Sequence, residues 1–443
     1  MRQDSKGGRG STALRICLAL VFLMSWRTLQ YFPGMHYVQE LWYVLCFLAL
    51  VFVYPAWKYL NRLRLTSFEI YVVVLTLVAV LLPAWGAKRE FGQPLVYGLL
   101  AQRAAVLTAP VLLLFVAMRS HRVQPRDIEW ALLSLGWGTL VLYSLMLLFL
   151  NPENFLSYGI GFADAGGGKA VFRFPMGFIV FALIYYTLLG FRTRRTRHYV
   201  AAAILLIWVV SSADARWFLV SLTATFVYFL YQWRPLGQFV GTIAKGCCVF
   251  AVVIGFGYAV SPDYLATRAA GFSDAFRVVF TGSAVADISA NIRVFETLTA
   301  LPYIQKNPLL GNGTISNQWE RGQDILGPYF YPGDIGLIGA LYSVGVLGLV
   351  VFAYQFWFAY GAARKLSRRR HSPLFDAAIG FLLLNAIGSI TATEFVYFPE
   401  TTLLFIAILV ALAYEEDCGR RRVIHGEQRA SMPGITHGYP TSS

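Results

Sequence analysis

Charged residues are scarce in this chain, and the shortage decides its class. Asp, Glu, Lys and Arg make up 14% of the 443 residues, whereas 57% are hydrophobic and the mean hydropathy is +0.57. A soluble domain carries roughly 25% charged residues, so the composition excludes that class. It predicts an all-α polytopic membrane protein.

Motifs for metal-dependent or nucleotide-dependent chemistry are also missing. The sequence has no HExxH, no GxSxG, no Walker loop and no DxD-like acidic pair outside the apolar segments. Its five Cys lie within or beside apolar segments, without the spacing of a disulfide framework or a zinc site. We therefore predict no metal and no cofactor.

Acidic residues are outnumbered, with 23 Asp and Glu against 37 Lys and Arg and a net charge of +14. The basic residues form short clusters between apolar segments, which is the positive-inside pattern of membrane proteins. This distribution indicates contact with membrane lipids and argues against binding of nucleic acid.

Apolar segments of about 20 residues, the length that crosses a bilayer as a helix, predict twelve spans. They cover residues 13–32, 38–57, 67–86, 95–118, 128–150, 173–191, 198–213, 215–233, 239–260, 334–361, 374–393 and 399–416. Alternate loops are basic, so twelve spans place both termini in the cytoplasm. No cleavage site follows the first apolar segment, and we expect it to be retained as a span.

The spans divide the chain into four parts. Residues 1–260 form a membrane domain with spans 1–9, and residues 334–416 contain spans 10–12. Between them, residues 261–333 form one large loop on the side opposite the cytoplasm, and a loop of that length usually has a function of its own. Residues 417–443 are a basic cytoplasmic tail, which we predict to be disordered.

One helix is predicted inside the large loop, from Ile288 to Gln305. Its apolar residues recur near helical spacing at Ile292, Phe295, Leu298 and Ile304. The helix should end before the Asn-Pro pair at 307–308, and the Gly-Asn-Gly at 311–313 predicts a turn. None of the six His falls in this loop, so a general base there has to be a carboxylate.

Two Arg residues lie where membrane proteins usually avoid them. Arg216 begins the eighth span on the non-cytoplasmic side, next to Asp214, and Arg103 lies several residues inside the fourth span. Each has a structural interpretation, as a salt bridge or a side chain that reaches the headgroups. Each also has a functional one, as a cation for a phosphate.

The large loop itself holds further cations. Arg293 lies on the predicted loop helix one turn from Glu296, so a surface ion pair is one interpretation. Arg268 and Arg277 also lie in the loop, although external loops normally contain few Arg. The cluster predicts an anionic ligand, and Arg suits bidentate binding of phosphate.

Asp334 stands at the entrance of the tenth span, after a Pro-Gly pair. Asp is a favoured N-cap residue, so a capping role is one interpretation, and it is compatible with a second role as proton acceptor. Trp319, Tyr329 and Tyr331 precede it. These aromatics fit an interfacial belt, and beside a carboxylate they would also stack against sugar rings.

Three segments together resemble a known family. "RVFETLTALPYIQKNPLLGNG" (293–313), "DIGLIGALYSVGVLGL" (334–349) and "SSADARWFLV" (211–220) are similar to motifs of the O-antigen ligase and Wzy-type polysaccharide polymerase superfamily. The likeness covers about residues 200–360. Asp334 stands where the ligases have a His, so the chain looks more like the exopolysaccharide polymerases, including the xanthan type.

The resemblance implies a GT-C-like fold and a metal-independent, inverting glycosyl transfer at the periplasmic face of the bacterial inner membrane. The donor and acceptor would be oligosaccharide units on undecaprenyl pyrophosphate, and a chain-length regulator is a possible partner. Arg216 matches the family's pyrophosphate-binding Arg, and Arg293 matches the Arg that opens the loop helix. Both are expected to bind the pyrophosphate, with Arg103, Arg268 and Arg277 as further candidates. Asp334 would activate the acceptor hydroxyl.

Two other functions stay open from the sequence. An O-antigen ligase would use the same donor and transfer the glycan to lipid A-core, but Asp334 replaces its His. A flippase or exporter of the same lipid carrier would be expected to hold charge inside the helix bundle. Here the unusual charge lies in the large loop and at its interface.

Overall fold

The computed structural model describes most of the chain outside the large loop and the two ends. The described residues are 12–28, 32, 34–158, 161–163, 170–172, 174–212, 216–233, 235, 237–238, 240–241, 288–320, 325–326, 330–366 and 372–430. The statements below concern these residues.

Helices dominate the described chain. They are α1 Thr12–Ser25, α2 Met35–Leu48, α3 Tyr54–Leu60, α4 Ser67–Phe91, α5 Leu95–Ala101, α6 Thr108–Arg119, α7 Pro125–Phe149, α8 Gly177–Thr193, α9 Thr196–Ser212, α10 Arg216–Trp233, α11 Ile288–Lys306, α12 Gly336–Ala353, α13 Gln355–Leu366, α14 Pro373–Gly388, α15 Glu394–Tyr397 and α16 Pro399–Ala430. One antiparallel strand pair, β1 Gly161–Ala163 and β2 Ala170–Phe172, is the exception to the all-α prediction. It flanks the Gly-rich "DAGGGK", whose residues favour turns.

Four helical stretches of the described chain are long and apolar enough to cross a membrane. They are Met35–Leu60, Ser67–Phe91, Pro125–Phe149 and Pro332–Leu366, and the bent pair Leu95–Ala101 with Arg103–Arg119 makes a fifth. Shorter apolar helices lie over the predicted spans 13–32, 173–191, 198–213, 215–233 and 374–393. The predicted span 399–416 lies within the 32-residue helix α16, and 239–260 falls outside the described residues after 241. The fold is therefore helical, with several helices that could span a membrane.

Two of these stretches depart from regular α-helix at identifiable points. A π-helical turn, Ala49–Val53, joins α2 to α3 just before Pro55, which cannot donate a backbone hydrogen bond. Between α5 and α6 a 3-10 turn, Arg103–Leu107, accompanies a bend of 42°. The bend places Arg103 at a break in the span, where its side chain can reach a partner.

The main core joins α1, α7, α8, α14 and α16. At its centre Trp26 lies 4.0 Å from Phe178, and Phe381 lies 4.5 Å from Phe405, measured between ring centroids. These aromatic rings are large and apolar, so they fill the space between helices that cross at an angle. This packing holds these helices together.

Charges of the predicted cytoplasmic loops are held in ion pairs. Glu69 is fully buried at the start of α4, and its carboxylate accepts hydrogen bonds from Lys58 at 2.8 Å and from Arg119 at 3.1 Å. Thr66 and Glu69 also form a capping box. A buried carboxylate needs such partners, so this cluster ties the ends of α3, α4 and α6 together.

Candidate functional site

The segment after α11, residues 307–313, docks into a break in α12. At Gly345 the backbone leaves the helical conformation, with φ 64° and ψ −175°. The amide of Asn312 donates to the carbonyl of Tyr342 at 2.7 Å, and the amide of Gly313 donates to that of Ser343 at 3.0 Å. The docked segment therefore supplies hydrogen-bond donors to carbonyl groups at the break in α12.

The pairing continues on the far side of the break. The amide of Val346 donates to the Pro308 carbonyl at 2.9 Å, and the amide of Leu347 donates to the Leu309 carbonyl at 3.0 Å. An apolar helix that breaks inside a bilayer has no water to satisfy its backbone groups. The docked segment supplies those partners, and it places α11 beside α12.

Glycines make this close approach possible. A Cβ on Gly313, which has φ +82°, would lie 2.1 Å from the Pro83 carbonyl oxygen of α4. A Cβ on Gly345 would lie 2.4 Å from the Leu309 carbonyl oxygen. Side chains do not fit at these distances or at positive φ. The segments "PLLGNG" (308–313) and "GVLG" (345–348) thus form the two sides of one backbone contact.

The end of α4 fastens the same segment. Arg89 donates to the Gly311 carbonyl at 2.8 Å. Glu90 accepts from Lys306 at 2.6 Å and from the Asn307 side chain at 2.9 Å. With backbone and side-chain bonds from two helices, the C-terminal end of α11 has a fixed position at this site.

Asp334 lies in a 3-10 turn, Pro332–Ile335, that leads into α12. Its amide donates to the Tyr331 carbonyl at 3.0 Å, and its side chain is exposed. The N-cap residue of α12 is Ile335, without a side-chain cap bond. The capping interpretation of Asp334 is therefore wrong, because the intervening turn moves the carboxylate one residue before the cap position.

Glu296 links this turn to α11. Its side chain is 1% exposed, and Oε1 accepts a hydrogen bond from the Tyr331 amide at 2.8 Å. Oε2 is also buried and has no hydrogen-bond partner in the described part of the chain. One helical turn earlier on α11 lies Arg293, which is exposed.

The pKa of Glu296 is raised from its ordinary value of 4.5 to about 7, mainly by burial and to a smaller extent by the negative charge of Asp334. The Tyr331 hydrogen bond and the positive charge of Arg293 act in the opposite direction. These influences show that Arg293, Glu296 and Asp334 share one electrostatic environment. The cation Arg293 and the exposed carboxylate Asp334 therefore both lie within electrostatic range of the buried acid Glu296, where α11 and α12 join.

Two tyrosines, Tyr331 and Tyr397, also lie at this junction. The Tyr397 hydroxyl donates to the Gly339 carbonyl at 2.9 Å and lies 2.8 Å from the Ser343 hydroxyl. Its ring lies 6.4 Å from that of Tyr331, which is 53% exposed. Exposed aromatic faces beside a carboxylate can stack against sugar rings. Trp319, in the following part of the loop, is partly exposed.

Arg103 has a partner elsewhere. Its Nε donates to Glu40 Oε2 at 2.8 Å, its second guanidinium branch pairs with Glu40 Oε1, and the guanidinium lies 5.7 Å from the Tyr43 ring. These contacts support the structural interpretation of Arg103, because a fork on a carboxylate occupies the donors that a phosphate would use. A role in pyrophosphate binding stays a prediction.

The remaining predicted site residues are only partly described. Arg216 is the first residue of α10, and its side chain lies outside the described part. Arg268, Arg277 and Tyr329 fall outside the described residues altogether. The structure brings together Arg293, Asp334 and Tyr331, and leaves the others as predictions.

The helix in the loop is confirmed within a residue or two, but its apolar pattern has another meaning. Phe295 is 58% and Leu298 is 60% exposed, whereas Ala300 is fully buried. The buried side of α11 carries Glu296, which the sequence alone indicates only as an ion-pair partner of Arg293. The sequence does place Glu296 one helical turn before Ala300. Without the fold, however, it does not show which face of α11 is buried.

Neither the scan against protein-family models nor the comparison with curated proteins found a match for this chain. Within the described residues, no three His, Cys, Asp or Glu side chains are placed to hold a metal ion. The chemistry that these residues can offer is binding of an anion by guanidinium and transfer of a proton to a carboxylate.

Proposed function

We propose that the chain is a glycosyltransferase of the bacterial inner membrane, with about twelve spans and a GT-C-like fold. It polymerises oligosaccharide repeat units carried on undecaprenyl pyrophosphate, at the periplasmic face. The product is an exopolysaccharide or O-antigen. Both termini lie in the cytoplasm, as the basic loops indicate.

One observation carries the proposal. The Glu296–Tyr331 hydrogen bond, 2.8 Å long, joins the helix of Arg293 to the turn of Asp334 at the entrance of an apolar helix. Within the described part of the chain, Arg293 makes no hydrogen bond or ion pair of its own. An exposed guanidinium and an exposed carboxylate that both act on Glu296 suit a reaction in which an anion leaves and a hydroxyl loses its proton.

The reaction follows from these two groups. Asp334 accepts the proton of a sugar hydroxyl on the incoming unit, and the hydroxyl oxygen attacks the anomeric carbon of the growing chain. The bond from that carbon to the pyrophosphate oxygen breaks, and both electrons leave with the pyrophosphate. Arg293, with Arg216, Arg268 and Arg277 as further candidates, stabilises the developing negative charge. A single displacement inverts the anomeric centre.

The aromatic residues offer a place for the sugars. The Tyr331 ring is about half exposed and stands three residues before Asp334. Trp319 and Tyr329 belong to the same part of the loop. Sugar rings present C–H groups that pack on aromatic faces, so these residues would hold the acceptor near Asp334.

Substitutions of Arg293 and Asp334 test the proposal. In cells that lack the native gene, we expect Asp334→Asn and Arg293→Ala to reduce polymer by 100-fold or more, on the order of a lost general base or oxyanion contact. Arg293→Lys should retain part of the activity. Glu320→Gln, an exposed acid of the same loop, is the matched control. Normal polymer from both main variants, at equal protein levels, would refute the proposed site.

Two alternatives predict different products. A ligase would leave the glycan covalently attached to lipid A-core, whereas a polymerase lengthens it on the lipid carrier. A flippase knockout would accumulate single repeat units on the inner leaflet, and a polymerase knockout would accumulate them on the outer leaflet. Analysis of lipid-linked glycans from a deletion strain separates all three.

A further inference from the structure

Glu296 lies on the helix of Arg293 and accepts a hydrogen bond from Tyr331, next to the Asp334 turn, yet it cannot touch a substrate because it is 1% exposed. We propose that Glu296 is a positioning residue: it holds the Asp334 turn through the Tyr331 amide, and its negative charge, once its proton is lost, strengthens Asp334 as a proton acceptor. This inference rests on the proposed function and deepens it.

The positioning part follows from the hydrogen bonds. Glu296 Oε1 accepts from the Tyr331 amide at 2.8 Å, and the Tyr331 carbonyl accepts from the Asp334 amide at 3.0 Å. Asp334 is therefore two hydrogen bonds away from α11, the helix that carries Arg293. Loss of the Glu296 acceptor would leave the Tyr331 amide without this partner and release the turn.

The electrostatic part follows from the second oxygen. Glu296 Oε2 is buried without a hydrogen-bond partner in the described part of the chain, so the carboxyl group is not committed to the ionised form. With a pKa of about 7, Glu296 changes charge near neutral pH. Asp334 disfavours the ionised form of Glu296, and by reciprocity ionised Glu296 increases the affinity of Asp334 for a proton.

Other charges around Glu296 do not replace this effect. Among the described residues, the charged and titratable groups on the packed elements include Arg293, Asp334, Arg89, the Glu90–Lys306 pair and the tyrosines Tyr303, Tyr331, Tyr342 and Tyr397. The tyrosines are neutral near pH 7, and Glu90 is paired with Lys306 at 2.6 Å. Glu296 is thus the group of this set that changes charge near neutral pH.

Glu296→Gln separates the two parts, because Gln keeps an oxygen for the Tyr331 amide and cannot ionise. Purified full-length protein in nanodiscs would be assayed on lipid-linked repeat units from pH 6 to pH 8. We expect the ratio of wild-type to Glu296→Gln rate to rise by roughly threefold to tenfold across this range. Glu296→Ala, which also loses the acceptor, should be slower than Glu296→Gln at every pH.

Thermal unfolding provides a readout independent of activity. A buried acid with a raised pKa favours the folded state below pH 4.5 and loses that contribution as the pH rises through about 7. Relative to Glu296→Gln, the wild-type unfolding midpoint should therefore fall between pH 5 and pH 8. Glu320→Gln should show no such difference.

The outcomes distinguish the inference from the function on which it rests. A constant rate ratio together with a constant midpoint difference would overturn the role of Glu296, even if Asp334→Asn abolishes polymer. If Asp334→Asn and Arg293→Ala polymerise normally, the proposed function fails, while the unfolding data still report on the buried charge of Glu296.

Discussion

At the scale of single residues, Arg side chains divide by whether a carboxylate already holds them. The guanidinium of Arg103 forks onto Glu40, with its Nε 2.8 Å from Oε2, and Arg27 lies 2.8 Å from the buried Glu400. Arg293 has no such partner within the described residues. A substrate anion binds more favourably to a guanidinium that is not already in an ion pair, because no ion pair has to be broken first. This favours Arg293 over Arg103 as the ligand.

Substitutions of Arg103 and Glu40 test whether this ion pair stabilises the fold. We expect Arg103→Ala and Glu40→Gln each to lower the unfolding midpoint, because each leaves a partly buried partner unpaired, at a cost of about 1–3 kcal/mol. The exchange of charges, Arg103→Glu with Glu40→Arg, should recover part of the loss. Thermal unfolding of detergent-purified protein measures this.

Polymer output from the same variants separates the two interpretations of Arg103. If the pair is structural, polymer output should follow the amount of folded protein in all of them, and Glu40→Gln should match Arg103→Ala. A pyrophosphate ligand behaves differently: Arg103→Ala would lose activity at normal stability, and Glu40→Gln would keep it.

At the scale of elements, the junction of α11 and α12 depends on backbone atoms that no side-chain pattern reveals. The sequence predicted the helix at 288–305 and its end before Asn307, and both are confirmed. The turn predicted at 311–313 lies instead at 308–310, and the amides of Asn312 and Gly313 pair with α12. The break at Gly345 was not predicted, because residues 334–349 look like an unbroken apolar helix. Backbone pairing between residues far apart in the chain leaves little trace in composition.

Gly313 tests the junction directly. We expect Gly313→Ala to destabilise the protein by more than about 2 kcal/mol, because the residue has φ +82° and a new Cβ would meet the Pro83 carbonyl oxygen at 2.1 Å. Gly138→Ala is the matched control, since its Cβ would have no neighbour within 4 Å and the residue is inside a helix. An unfolding midpoint for Gly313→Ala equal to that of Gly138→Ala would mean that the docked segment is held apart from α4.

At the scale of the whole molecule, several buried ion pairs of the described chain lie on the predicted cytoplasmic side. Lys58 and Arg119 pair with Glu69, Arg15 pairs with Asp127, and Arg192 pairs with Asp376. Composition predicted where these basic residues lie, but their partners come from helices distant in sequence. The sequence also cannot show which apolar face is buried, as Phe295 on α11 illustrates with 58% exposure.

The last prediction concerns the sidedness of the chain. Nine spans separate the N-terminus from the large loop, so Asn317 and Arg122, which follows only four spans, should lie on opposite sides of the membrane. Both side chains are exposed. Single Cys variants at these positions would be made in a chain whose five native Cys are replaced by Ser.

A membrane-impermeant maleimide should label Asn317→Cys in intact spheroplasts and should label Arg122→Cys only after lysis. This result tests whether the proposed site faces the periplasm. The docked segment 307–313 holds α11, which carries Arg293, against α12, which follows Asp334, and Asn317 comes four residues after that segment. If Asn317→Cys is labelled only after lysis, the carboxylate lies on the wrong face for a donor that reaches it from the periplasm. Labelling of Arg122→Cys in intact spheroplasts would contradict the four spans predicted before it.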